Sequence, residues 1–147
     1  MSTLTRATAL PAVSARSTAG SRAALWAGWG ASALAILFLA FDSLGKVLRV
    51  EPVIAGTTEL GYPAGLVFTI GVLMLLCVVA YAIPGTSVLG AVLLTGYLGG
   101  AIATQLRVGN PLLSHTLFPV YVAIFVWAGL FLREPRLRPL LPWRVRP

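Results

Sequence analysis

The sequence predicts an all-α fold: an integral membrane four-helix bundle, antiparallel, with both termini in the cytoplasm. Three observations predict it. Hydrophobic residues make up 58% of the 147-residue chain and charged residues only 10%, whereas average soluble proteins carry about 25% charged residues. Four apolar segments each approach the roughly 20 residues that cross a bilayer as a helix. Arginines flank these segments at both ends of the chain.

The apolar segments define a transmembrane domain over residues 22–132. A soluble domain of this length could not hide so much apolar surface, because small folds leave a large share of their area exposed. The predicted spans are about residues 23–48, 63–83, 88–106 and 114–132.

Turn and capping residues separate these spans. Between the second and third spans, IPGTS provides a Pro-Gly turn, with Thr86 or Ser87 available to cap the next helix. The segment RVGNPLLSH provides Gly109 as a helix stop, and Ser114 is an expected N-cap of the fourth span. The longest connection, VEPVIAGTTELGYP, has room for a short interfacial helix.

Basic residues predict the orientation, because cationic loops resist translocation. Of the 11 lysines and arginines, eight lie in or beside the two tails, which an even number of spans puts on one side. We therefore expect a flexible cytoplasmic tail over residues 1–21 and a basic tail over residues 133–147 that lies against the inner leaflet. The N-terminal tail also has the Arg-rich, Ser-rich, acid-poor composition of a mitochondrial transit peptide, which stays open as an alternative.

Composition also excludes several classes of function. The net charge of +7 does not indicate nucleic-acid binding, since the arginines flank apolar segments instead of forming a patch among aromatics. The single cysteine, Cys77, excludes an intramolecular disulfide and a CxxC pair. The single histidine, His115, excludes bis-histidine haem ligation, and the usual zinc and di-iron ligand sets are missing. We expect no metal site and no cofactor bound by the chain's own ligands.

Charged and polar residues collect at the predicted outer end of the bundle. Asp42 lies about 28 Å along the first helix from Ala23, and Lys46 and Arg49 follow on the same face. These charges have two interpretations: an anchor that marks where the helix leaves the lipid, or a site that binds a polar head group or relays protons. The candidate outer polar site comprises Asp42, Lys46, Arg49, Glu59, Gln105, Arg107 and His115.

The third span carries small residues four positions apart. Such spacing lets helices approach closely in lipid, where close packing replaces the hydrophobic drive. We expect packing within the chain, with a homo-oligomer contact as the alternative. The stripe comprises Gly96, Gly99, Gly100, Ala103 and Thr104.

Several stretches together resemble the DoxX-like family of small bacterial membrane proteins. They are LFLAFDSLGKVLR, ELGYP and LLTGYLGGAIATQLRVGNPLLSHTLFPVYVAIFVWAGLFLREPRLRPLLP, and the likeness covers about residues 24–141. Gly45 and Lys46 match the glycine and lysine that close the family's first helix, and Arg107 matches the basic residue that closes the third. The resemblance implies a multi-pass four-helix protein of the bacterial cytoplasmic membrane. The wider DoxX grouping is named after a membrane subunit of a thiosulfate:quinone oxidoreductase, and the family supplies no catalytic residues to carry over.

The leading functional hypothesis is a non-catalytic subunit or scaffold of a membrane redox-linked complex. It would sit in the bilayer with redox-enzyme partner subunits and give a quinone or other lipophilic molecule a docking place near Asp42, Lys46 and Arg107. The alternative is a small carrier or permease for a polar or protonated solute. A third hypothesis is an enzyme acting on a lipid-soluble substrate, with His115 or Asp42 as proton donor.

Overall fold

The structure is a computed structural model that describes residues 14–134 and residue 137, with side chains from residue 22 onward. Helix α1 includes residues 14–21, which the sequence analysis assigned to the N-terminal tail. The remainder of that tail and nearly all of the basic C-terminal tail lie outside the described residues. The elements are α1 (Ser14–Val47), α2 (Glu51–Glu59), α3 (Leu66–Ala82), α4 (Ser87–Val108), a π-helical segment (Leu112–Thr116) and α5 (Phe118–Arg133).

Within these residues helices are the only regular secondary structure, as the fold prediction required. Three segments are long and apolar enough to cross a membrane, namely Arg22–Val47, Ser87–Val108 and Leu112–Arg133. Helix α3 is a shorter apolar helix of 17 residues, which corresponds to a length of about 26 Å. The short helix α2 occupies the connection in which an interfacial helix was expected.

Helices α1, α3, α4 and α5, the four long helices, form one bundle. In it α1 and α4 each pack against both α3 and α5, while the short helix α2 lies against α1. The core contains large side chains that are fully buried, among them Leu39, Met74 and Leu94. Many other large apolar side chains point outward, such as Phe41 at 81% exposure and Trp26 at 78%. An apolar exterior around an apolar core is typical of helices that meet lipid.

One end of the bundle, where α3 joins α4, is tightly closed. Ser32 Oγ donates a hydrogen bond to Tyr81 Oη at 3.0 Å, and Tyr81 Oη donates to the Val126 carbonyl at 2.8 Å, so that α1, α3 and α5 are tied together. A Cβ at Gly129 would lie 2.5 Å from Ser32 Oγ, and one at Gly90 would lie 2.2 Å from the Tyr81 nitrogen. Only glycine permits such close backbone approach. We call this region the closed end; it comprises Gly28, Ser32, Tyr81, Gly90 and Gly129.

The helix ends differ in part from the expected capping. Gly109 ends α4 in the left-handed conformation (φ 75°), as predicted for a helix stop. Thr86 occupies the N-cap position of α4, but neither its hydroxyl nor that of Ser87 bonds to the first amides of the helix; the two hydroxyls donate instead to the carbonyls of Ala80 in α3 and Pro84 in the turn. Ser114 is likewise no cap, since it lies inside the π-helical segment and its hydroxyl bonds to the ring of the next residue.

Candidate functional site

A cavity of about 850 Å³ opens between the four long helices at the end opposite the closed end. It reaches along α4 from Gln105 to Val92, a distance of about 20 Å. The deep part is apolar and ends near Met74 and Cys77, whereas polar side chains surround the opening. We call this opening the polar mouth; its residues are Asp42, Lys46, Thr57, Tyr62, Thr104, Gln105 and His115.

Asp42 and Lys46 form an ion pair at the polar mouth. Their spacing of four residues places both on one face of α1, and Lys46 Nζ donates to Asp42 Oδ2. The Lys46 side chain is 13% exposed and that of Asp42 is 38% exposed. Gly71 of α3 contributes to this placement, because a Cβ there would lie 2.6 Å from Lys46 Cβ. The close approach of α1 and α3 therefore holds the pair at the cavity wall.

A chain of hydrogen bonds crosses from the loop before α3 to α4. Thr104 Oγ1 donates to the Gly100 carbonyl at 2.9 Å and lies 2.7 Å from Tyr62 Oη. A hydroxyl has a single proton to donate, so Tyr62 is the donor in the second bond. Thr57 of α2 is also satisfied, since its hydroxyl donates to the Val53 carbonyl at 2.7 Å.

The third part of the polar mouth is built around the π-helical segment. Asn110 Nδ2 donates to Gln105 Oε1, which draws the end of α4 onto the turn that follows it. His115 is exposed at the rim, and its Nδ1 lies 2.8 Å from Ser114 Oγ. Thr116 Oγ1 donates to the Asn110 carbonyl at 3.3 Å and closes the segment against the turn.

Tyr97 is the polar residue farthest inside the cavity. It lies on α4 two turns before Thr104, about 10 Å deeper, and its ring packs against the hydrophobic core. Among the described residues no side chain or carbonyl forms a hydrogen bond with its hydroxyl. A hydrogen-bond donor is therefore available inside an otherwise apolar space.

The structure brings together four of the seven residues of the predicted outer polar site. Asp42, Lys46, Gln105 and His115 line the cavity. Arg49 and Glu59 are exposed outside it, and Arg49 adopts a left-handed backbone conformation (φ 56°) before α2.

Arg107, the remaining predicted residue, also lies outside the cavity lining. Its Nη2 donates to the Leu60 carbonyl at 2.6 Å and lies close to Gly61. Arg107 therefore links the loop after α2 to the end of α4.

The glycines in the stripe of small residues on α4 do not pack closely against another helix of the chain, although such packing had been expected. Gly96, Gly99 and Gly100 leave open space, because apart from the adjacent backbone of α4 itself no heavy atom lies within 4 Å of where their Cβ would be. Ala103 is exposed and Thr104 is buried. Gly96 and Gly100 line the cavity, and because glycine has no side chain, both positions enlarge it. Within the chain, close helix approach occurs at the glycines of the closed end and at Gly71.

Sequence reasoning missed Tyr62 and Tyr97 as site residues, and it assigned Thr104 to packing alone. One signal pointed to Tyr97: it is a phenol near the middle of a predicted span, flanked by glycines in TGYLGG. Which face of the helix it occupied could not be read from that pattern.

Metal-binding groups are sparse in the part of the chain that the structure describes. It contains no cluster of three or more His, Cys, Asp or Glu side chains that could hold a metal ion. Cys77 is a free, buried thiol at the apolar depth of the cavity.

Comparison with known proteins gives one match. The model of a protein family described as the DoxX-like family matches residues 30–129. This range covers more than half of the 147 residues and includes every residue that lines the cavity. Neither a curated protein nor a solved structure matches the chain.

Proposed function

Because this chain is a membrane protein that belongs to the DoxX-like family, we propose that it is a non-catalytic binding component of a membrane redox-linked complex. In this role it holds a lipophilic small molecule, such as a quinone, in the cavity between its helices. The observation that carries the proposal is the cavity itself, which is apolar in its depth and polar at its mouth. Its volume of about 850 Å³ is in the range of small-molecule sites, roughly 300–1,000 Å³.

The shape of the cavity favours a molecule with a polar head and an apolar body. The deep wall of Met74, Cys77 and Val92 offers no charge, whereas the polar mouth offers hydroxyls, an amide and an ion pair. A purely polar solute would lose its hydration in the deep part without regaining hydrogen bonds. The sequence has one histidine and one cysteine, so electron carriage falls to partner subunits, and this chain contributes binding and orientation.

We further propose that the bundle is antiparallel and lies in the bacterial cytoplasmic membrane, with the polar mouth facing outward and both termini inside. Helix α3, the second span in chain order, also crosses the bilayer, since about 17 residues is the lower limit for a crossing. The excess of basic residues near the chain ends supports this orientation. A reporter fused after residue 85 is then active only in its cytoplasmic form, and a periplasmic signal would contradict the orientation.

The binding proposal is tested by purifying the protein from native membranes in mild detergent and identifying co-eluting small molecules by mass spectrometry. Gly100→Leu fills the cavity and is expected to lower capture at least about tenfold. Gly99→Leu is the matched control, because both positions leave open space for a side chain but Gly99 lies outside the cavity lining. Equal capture by the two variants would contradict binding in this cavity.

A carrier function remains the competing hypothesis, supported by the ion pair at the polar mouth. Beyond the deep wall the closed end ties three helices together through Ser32, Tyr81 and the Val126 carbonyl, so transport requires these contacts to open. Solute flux into liposomes that disappears in Asp42→Ala would favour the carrier. Ligand capture without flux would favour the binding component.

A further inference from the structure

We infer that Tyr97 is a ligand-binding residue, and that its hydroxyl donates a hydrogen bond to an uncharged acceptor, such as a carbonyl oxygen, in the head of the molecule held in the cavity. This inference rests on the proposed binding function and narrows its ligand to a neutral amphiphile.

The environment of Tyr97 supports the assignment. The hydroxyl has no hydrogen-bond partner among the described residues, although Tyr97 is half-buried and faces the cavity. A phenol that faces an apolar space without a partner costs free energy. Tyr97 Oη is not fully buried, and because Tyr97 lines the cavity, a molecule bound there can reach the hydroxyl. A bound acceptor would supply the missing hydrogen bond.

The neighbouring hydroxyls are already committed to partners within the chain. The Tyr62 proton goes to Thr104, the Thr104 proton goes to the Gly100 carbonyl, and the Thr57 proton goes to the Val53 carbonyl. Tyr97 is therefore the hydroxyl in the cavity lining whose proton is free for a ligand.

The charges around the cavity indicate a neutral head. Asp42 and Lys46 are the charged residues of the lining, and they neutralise each other in an ion pair. Arg49, Glu59 and Arg107 lie outside it. An anionic or cationic head at Tyr97 would therefore add an uncompensated charge to a space surrounded by lipid and apolar side chains, which is costly. An uncharged acceptor avoids this cost.

The position of Tyr97 also divides the space available to the ligand. About 8 Å of α4 separates Tyr97 from the deep end at Val92, and about 12 Å separates it from Gln105 at the mouth. The acceptor thus sits below the charged rim, with apolar wall beyond it.

The test uses the full-length protein in lipid nanodiscs, with empty nanodiscs as reference, and three probes of equal chain length: 2-tridecanone, tridecane and tridecanoate. We expect the wild-type protein to bind the ketone about three- to tenfold more tightly than the hydrocarbon, and the carboxylate more weakly than the ketone. Tyr97→Phe should abolish the preference for the ketone and leave tridecane binding unchanged. Tyr121→Phe is the control, because Tyr121 is exposed on α5 outside the cavity lining.

A spectroscopic measurement separates hydrogen bonding from a merely structural effect. The carbonyl stretch of ¹³C-labelled 2-tridecanone, measured by isotope-edited infrared spectroscopy, should rise in Tyr97→Phe and stay at the wild-type frequency in Tyr121→Phe. A ketone preference and carbonyl frequency that survive Tyr97→Phe, or tighter binding of tridecanoate than of the ketone, would overturn the inference while leaving cavity binding intact. If no probe shows binding that Gly100→Leu removes, the proposed function and this inference fail together.

Discussion

The two ends of the bundle are built from the same four helices and yet differ in how closely those helices approach. At the closed end, glycines face a neighbouring backbone, and a Cβ at Gly90 would lie 2.2 Å from the Tyr81 nitrogen. At the cavity end, Gly96 and Gly100 on the same helix face open space. Glycine therefore has opposite consequences according to what it faces: opposite a backbone it permits close contact, and opposite open space it enlarges the cavity.

The largest expected effect comes from a methyl group at the closed end. In Gly90→Ala the new Cβ meets the Tyr81 backbone, which cannot move aside, so the free energy of unfolding should fall by about 3 kcal/mol. Gly96→Ala is the matched control, expected to be neutral or to stabilise by up to about 1 kcal/mol through helix propensity. Denaturation by SDS in mixed micelles measures both. Equal stability of the two variants would remove the distinction between the ends.

A smaller effect is expected from the polar contact that ties the closed end. Tyr81→Phe leaves the Val126 carbonyl without its donor and Ser32 Oγ without its acceptor, and should cost about 1 kcal/mol. Ser32→Ala should then add little in the Tyr81→Phe background, because its partner is already absent. Independent, additive losses in the double variant would show that the two hydroxyls do not act as one network.

The smallest expected effect lies at the cavity end, in the coupling of Asp42 with Lys46. A double-mutant cycle with Asp42→Asn and Lys46→Gln should give about 0.5 kcal/mol, since Asp42 is 38% exposed and exposed helical pairs contribute little. The unfolding free energies of the four proteins provide the coupling, and raised salt should reduce it. A coupling above about 2 kcal/mol would contradict this expectation and would indicate that the ion pair is shielded from water.

Much of the fold could be predicted because the signals were local. Helix length, apolar composition and the stop at Gly109 depend on residues near one another in the chain, and the connection that holds α2 was long enough to contain a helix. The capping role of Thr86 and Ser87 failed because their hydroxyls had two sets of backbone groups within reach. The carbonyls of Ala80 near the end of α3 and of Pro84 in the turn competed with the amides of α4.

Less of the candidate site could be predicted, since it depends on how each helix is rotated about its axis. Asp42 and Lys46 were found because an i, i+4 pair shares a face in any helix. Gly90 and Gly96 are the same residue type in one helix, and nothing in the sequence distinguishes the glycine that contacts Tyr81 from the glycine that faces the cavity. Arg107 was assigned to the site by its position at a helix end, but its side chain reaches the Leu60 carbonyl instead.

That bond from Arg107 to the loop after α2 has a consequence for inheritance. Gly61 has a positive φ of 83°, and a Cβ there would lie 3.1 Å from Arg107 Nη2. A side chain at residue 61 would strain the backbone and crowd the guanidinium at once. The glycine is therefore expected to persist among descendants of a common ancestor even where the arginine is lost, because losing the guanidinium removes the crowding but leaves the positive φ of residue 61.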